Sequence, residues 1–176
     1  MASYKEIVTK SIIGKGKKIF KNNYFIEVEK TPSTVLGCWV INHNFKGYKT
    51  GDAVGVNGSF DVNIWYSYDN DSKTLVATKK VEYNDIMNVK VKNENDMNGD
   101  TDIIVRTLSQ PTCSNVSIDG NKINFDIEKE LGVELVGDTK IKIAVEDDED
   151  PWDILYDEVD DEKLKEIDSS INENYL

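Results

Sequence analysis

The sequence predicts an all-β fold, a single β-sandwich or open barrel of about nine mostly antiparallel strands, followed by an acidic C-terminal tail. Three observations carry this. Residues 59–68 alternate: Phe60, Val62, Ile64, Tyr66 and Tyr68 are apolar or aromatic, while Ser59, Asp61, Asn63 and Ser67 are polar. In a strand, that alternation puts one face in a core and leaves the other wetter. Residues 35–43 form a nearly continuous apolar run, the pattern of a strand buried on both faces. Turn signals then recur at roughly the 8–12-residue spacing of short-stranded sandwiches. Trp65 departs from the alternation by placing a large aromatic on the polar face. It either packs under a loop or offers a contact surface to another layer or subunit.

Taken in order, Ser3 and Glu6 have capping-box spacing, but the β-branched pairs Ile7-Val8 and Ile12-Ile13 favour a strand over residues 6–13. Lys15, Lys17, Lys18 and Lys21 then form a basic cluster, read either as a solvated strand edge or as a docking patch for an acidic partner, including this chain's own tail. Residues 24–29 read as a second strand, and Thr31-Pro32-Ser33 as a break. Gly37, inside the apolar run, marks a bulge or a close backbone approach. Residues 46–52 read as a loop, and Asn57-Gly58 as a turn or bulge signal before the alternating strand. Asp69-Asn70-Asp71-Ser72-Lys73 closes a hairpin; Thr74 and Lys80 stand where a calcium loop needs Gly and Glu. The return strand, residues 74–91, is long enough to need a bend or bulge at Asn84-Asp85. After an exposed loop over 93–100, residues 103–105 form a strand ended by Pro111. Residues 116–118 and 122–128 pair across Asp119-Gly120, and 131–136 and 139–145 supply the last strands, joined by Gly137-Asp138.

The net charge of −12 is segregated. Residues 1–145 hold 19 Asp and Glu against 19 Lys and Arg, whereas residues 146–176 hold 14 acids against Lys163 and Lys165. A neutral body gives no electrostatic case for nucleic acid, which needs a basic face to displace counterions. The acidic tail would be repelled by phosphates and anionic lipid. No apolar run approaches a membrane span and no apolar signal region opens the chain, so a cytosolic protein without membrane insertion is expected. Cys38 and Cys113 are the two cysteines; without a C-x-x-C pair they argue against a zinc site and a disulfide framework, and are expected as ordinary buried thiols. His43 is the single histidine, expected at a strand end bonded to backbone or water. It makes no metal site alone, and no nucleophile motif accompanies it. Paired carboxylates such as Asp61 and Asp85 could serve a hydrolase, but no motif supports one. No catalytic residue, cofactor or metal is expected.

Glu146-Asp147-Asp148-Glu149-Asp150-Pro151 cannot sit in a core, so residues 1–145 are read as the body and 146–176 as the tail, partly disordered or short-helical. The tail interleaves its acids with Trp152, Ile154, Leu155, Tyr156, Leu164, Ile167 and Tyr175. That composition suits a segment that orders on a partner.

Three stretches together resemble one family, the outer spore coat morphogenetic protein CotE of endospore-forming Firmicutes. Residues 32–43, PSTVLGCWVINH, are similar to that family's P-S-x-[IV]-L-G-x-W-[IV]-I-N-H. Residues 60–68, FDVNIWYSY, are similar to Y-D-[IV]-N-[IV]-W-Y-S-Y, and residues 108–113, LSQPTC, to L-x-Q-P-x-C. Cys38 stands where that family has a glycine. A composition rich in Asn, Ile, Lys and Asp suits a clostridial source. The resemblance implies a non-enzymatic scaffold that self-associates around the forespore in the mother-cell cytoplasm and ends in the spore coat. It also implies partners: a basement-layer coat ATPase that positions it, and outer coat and, in some species, exosporium proteins recruited through residues 146–176. For self-association, Trp39, Trp65, Tyr66 and Tyr68 are the candidate anchors, since buried aromatics dominate interface energetics. The same four residues would serve the other reading, a ligand- or glycan-binding β-sandwich.

Overall fold

A computed structural model of the protein describes residues 3–91 and 100–145. They form seven strands: β1 (Ser3–Glu27), β2 (Pro32–Thr50), β3 (Ala53–Tyr68), β4 (Lys73–Asn88), β5 (Lys90–Val91), β6 (Asp102–Asp119) and β7 (Lys122–Val145). One antiparallel sheet has the order β5-β1-β7-β6 and the other β2-β3-β4. The all-β sandwich expected from the sequence is therefore present, and it is not closed into a barrel.

The count is seven rather than about nine because predicted breaks lie inside long strands. β1 runs through Gly14 and Gly16, β2 through Gly47, and β7 through Gly137-Asp138. β6 continues through Pro111, which sits at a register shift between Ser109 and Thr112. β6 is an edge strand by sheet order, where a residue without an N–H is tolerated at a bulge. Of the bend or bulge expected at Asn84-Asp85, the bulge is absent, since β3 and β4 stay in register from Ala53↔Asn88 to Tyr68↔Lys73; the expected return strand instead divides after Asn88, with β5 starting at Lys90. Asn57-Gly58 is likewise inside β3 rather than a turn; Gly58 is bare because the Tyr83 ring of β4 lies across it. The hairpin turn at Asp69–Asp71 is as expected, with all three residues at positive φ.

The alternation does what it predicts. Phe60, Val62, Ile64 and Tyr66 of β3 are buried. They meet Ile123, Phe125 and Ile127 of β7 in one apolar cluster; Val54, Val56 and Met87 meet Leu131, Val133 and Leu135 in a second. Tyr83 packs against both. Cys38 and Cys113 are disulfide-bonded, with Cα atoms 6.1 Å apart. This corrects the expectation of ordinary thiols. The two are 75 residues apart in sequence, and only the topology, which lays β2 of one sheet beside β6 of the other, brings them together.

Residues 3–9 and 140–145, the outer ends of β1 and β7, belong to a compact unit distinct from residues 10–139. Within it, the Ser3 hydroxyl donates to the Val145 carbonyl at 3.4 Å and Lys142 lies 4.0 Å from Glu6. β7 ends at Val145. The tail expected beyond it lies outside the described residues.

Candidate functional site

The three-stranded sheet turns one face to the core and the other outward. Register fixes which side chains share that outer face: Gly37, Trp65 and Val76 lie in one row, Trp39, Asn63 and Thr78 in the next, and Ile41, Asp61 and Lys80 in a third. Trp39 is 41% exposed, Trp65 43% and Val76 55%, large values for side chains of this apolarity. Ile41 is exposed as well, and so is Leu36 at the bulge between Val35 and Gly37. A Cβ on Gly37 would stand 3.5 Å from Trp39 Cζ3. The Trp39 ring thus lies against Gly37, whose cross-strand partner is Trp65, and the two indoles occupy neighbouring sites. Some of the polar groups around them pair with one another: Thr78 Oγ1 donates to Asn63 Oδ1 at 2.6 Å, and Asn42 Nδ2 donates to Asp61 Oδ2 at 2.9 Å. The two indoles with Leu36, Ile41 and Val76 form an exposed apolar cluster, the kind of patch that marks an interaction site.

Of the four aromatic anchors named from sequence, the structure brings Trp39 and Trp65 together and turns Tyr66 and Tyr68 to the other side of the sheet. Tyr66 is 3% exposed, and burial holds its hydroxyl pKa above the ordinary value. Tyr68 packs partly buried against the same core cluster. Even spacing in a strand means one face, so residues 66 and 68 cannot join 65 and 39. The tail candidates Trp152, Ile154, Leu155, Tyr156, Leu164, Ile167 and Tyr175 lie outside the described residues.

Sequence reasoning missed a charged cluster in the interior. Along β7, the inward series Ile123, Phe125, Ile127, Lys129, Leu131, Val133 and Leu135 contains one lysine, 1% exposed. Its ammonium meets Asp85 Oδ2 at 2.9 Å, a close ion pair rather than an aligned hydrogen bond. It also lies 3.9 Å from the Tyr83 ring centroid and 5.1 Å from that of Phe20. The signal was available: Lys129 is in phase with six apolar neighbours.

His43 is not at a strand end bonded to backbone or water. It lies within β2, where its Nε2 shares a 2.6 Å hydrogen bond with the Tyr83 hydroxyl. Burial holds its pKa below the ordinary value; the Gln110 side chain works the other way, and Lys129 adds to the lowering. Burial, reinforced by Asp85 and Tyr24, pushes the Tyr83 hydroxyl well up. These groups hold one another, and they do not assemble a nucleophile beside a base. Asp61 pairs with outward Lys80 and Asp85 with inward Val56, so the carboxylates weighed for a hydrolase face opposite sides of the sheet. Among the described residues no group of three or more His, Cys, Asp or Glu could hold a metal ion.

A family model, Outer spore coat protein E (CotE), matches residues 3–174. No curated protein and no solved structure matches the chain.

Proposed function

This chain belongs to the outer spore coat protein E family, and we propose that it serves the spore coat as a non-enzymatic morphogenetic scaffold. In this reading it self-assembles around the forespore in the mother-cell cytoplasm, is positioned there by a basement-layer ATPase, and recruits outer coat and, in some species, exosporium proteins through residues 146–176. The observation that carries the reading is the outward pair Trp39 and Trp65 with Ile41 and Val76 beside them. Leaving two indoles in water forgoes burial that a second copy of the same face would supply. Centrally placed tryptophans in such contacts typically cost about 2 kcal/mol or more on truncation, roughly thirtyfold in affinity for each.

The test is light scattering coupled to size exclusion on the full chain, wild type against Trp39→Ser/Trp65→Ser. The wild type is expected to form concentration-dependent oligomers, and the double variant to stay smaller at matched concentration while keeping its β-sheet circular dichroism. Wild-type-like assembly by the variant would refute this face as the contact. A second reading uses the same two adjacent indoles as a stacking platform for a polysaccharide. Retention of the wild-type chain on insoluble glycans, lost in the double variant, would favour it.

A further inference from the structure

The four-stranded sheet carries, on the side opposite its core, a groove of about 460 Å³ whose walls include Lys15, Lys17, Arg106, Leu108, Gly132 and Glu134. Its apolar floor has a specific origin. Gly132 falls in the outward phase of β7, where every other position from 123 to 135 turns inward, so the strand offers no side chain there. Leu108 of β6, 52% exposed, leans over the gap with Cδ1 3.1 Å from where a Cβ would stand. The rim is cationic. Glu134 lies 4.0 Å from Lys15 and 3.7 Å from Arg106, and Lys17 has no ion pair among the described residues. Three cations against one carboxylate over an apolar floor suit an acidic peptide that carries a large apolar side chain.

The chain contains such a peptide. Residues 146–158 hold eight acids and no Lys or Arg, with Trp152, Ile154, Leu155 and Tyr156 among them. No other stretch of the sequence combines these features, and the body it would meet is neutral overall. Residues 146–158 follow Val145 directly and span about 45 Å when stretched, long enough to leave their own body for a neighbouring molecule. Symmetry gives the reason to prefer a neighbour. Two identical Trp39/Trp65 faces make an isologous contact that closes at a dimer, so a continuing layer requires a second contact, and a tail docked on a different surface of the next copy supplies one that is head-to-tail. We propose that residues 146–158 of one copy dock in the Lys15/Lys17/Arg106 groove of the next, with an aromatic side chain over Gly132 and the acids on the cationic rim. The proposal rests on the assembly reading above, and leaves residues 159–176 for recruitment.

The test is zero-length carbodiimide coupling of the full chain, using equal amounts of unlabelled and ¹⁵N-labelled protein, read by mass spectrometry. Amides from Lys15 or Lys17 to Asp or Glu within 146–158, in mixed-isotope pairs, are the expected result. Arg106→Glu keeps both reporter lysines and should cut the mixed-pair yield roughly five- to tenfold, as should 1 M salt, since the contact is largely electrostatic. Absence of these links, links only between same-isotope chains, or a yield indifferent to Arg106→Glu would each overturn the proposal. The two readings fail separately. Oligomers without mixed links remove the groove contact alone, whereas a wild-type chain that stays monomeric removes the assembly reading. Mixed links that persist in Trp39→Ser/Trp65→Ser establish the groove as a contact independent of the aromatic face.

Discussion

Lys129→Met is the most informative single change to the interior. Lys129 is 1% exposed and its partner Asp85 has a side chain 14% exposed, so neither charge has much water to fall back on. Methionine keeps the length and most of the volume of the lysine stem, which removes cavity formation from the comparison. What is lost is the 2.9 Å ion pair and the ammonium stacked 3.9 Å from the Tyr83 centroid. What is left is a carboxylate without its counter-charge. Breaking a buried pair from one side costs about 3–5 kcal/mol, whereas replacing both partners with apolar groups is often neutral or stabilising. Lys129→Met should therefore destabilise by about 3–5 kcal/mol, a fall of roughly 6–20 °C in Tm for a chain of this length. Lys129→Met/Asp85→Leu should recover most of that. Urea unfolding of wild type, both singles and the double closes the cycle. A single-variant loss under about 1 kcal/mol, or a double that merely sums the singles, would mean that the pair is hydrated and uncoupled, and would refute the reasoning.

Two further outcomes follow from the same framework. Full chain purified without reductant should show no thiol reactive to Ellman's reagent, and Cys38→Ser/Cys113→Ser should unfold about 2–4 kcal/mol more easily, because the bond closes a loop between residues 75 apart; two free thiols under native oxidising conditions would contradict the β2–β6 link. His43, the single histidine, should give one imidazole NMR titration with its midpoint below the usual value of about 6.5, since burial lowers its pKa. A proton then prefers the unfolded chain, so the stability His43 contributes is complete above the unfolded pKa and declines as pH falls from there toward the folded value. A midpoint at or above the usual value would show the ring to be solvated.

The fold class was legible because β3 carries an unbroken period-2 code, and Phe60, Val62, Ile64 and Tyr66 had no helical alternative that buried them together. Strand ends were less legible. Asn57-Gly58 reads as a turn or bulge signal, but a glycine is equally what a regular strand needs where an aromatic ring crosses it, and only the pairing with Tyr83 separates these meanings. Pro111 was read as a stop, yet an edge strand accepts proline at a bulge. The candidate site was half legible. Trp65 stood out of phase and was recognised as such; Tyr66 and Tyr68 were grouped with it by composition, against the parity that had already assigned them to the core. The disulfide was invisible because which strands lie side by side across a sandwich is a property of topology, not of spacing.

How the edges are managed bears on which surface can associate. The three-stranded sheet has β2 and β4 at its edges, and β6 edges the other sheet. β2 carries three register shifts and β6 three, one of them around Pro111. Each shift interrupts the regular row of donors and acceptors that a foreign strand would need. β4 stays regular against β3 but carries Lys73, Lys79 and Lys80, and the Lys79 ammonium donates to the Phe25 carbonyl of β1 at 2.5 Å. Inserting a strand at that position would displace this bond and bring a backbone up against lysines, the usual device against edge-to-edge growth. With the β2, β4 and β6 edges obstructed and two indoles left outward on the β2-β3-β4 face, that face is a better contact surface than those three edges. Within the proposed assembly, this arrangement favours contact through side chains over open-ended strand addition.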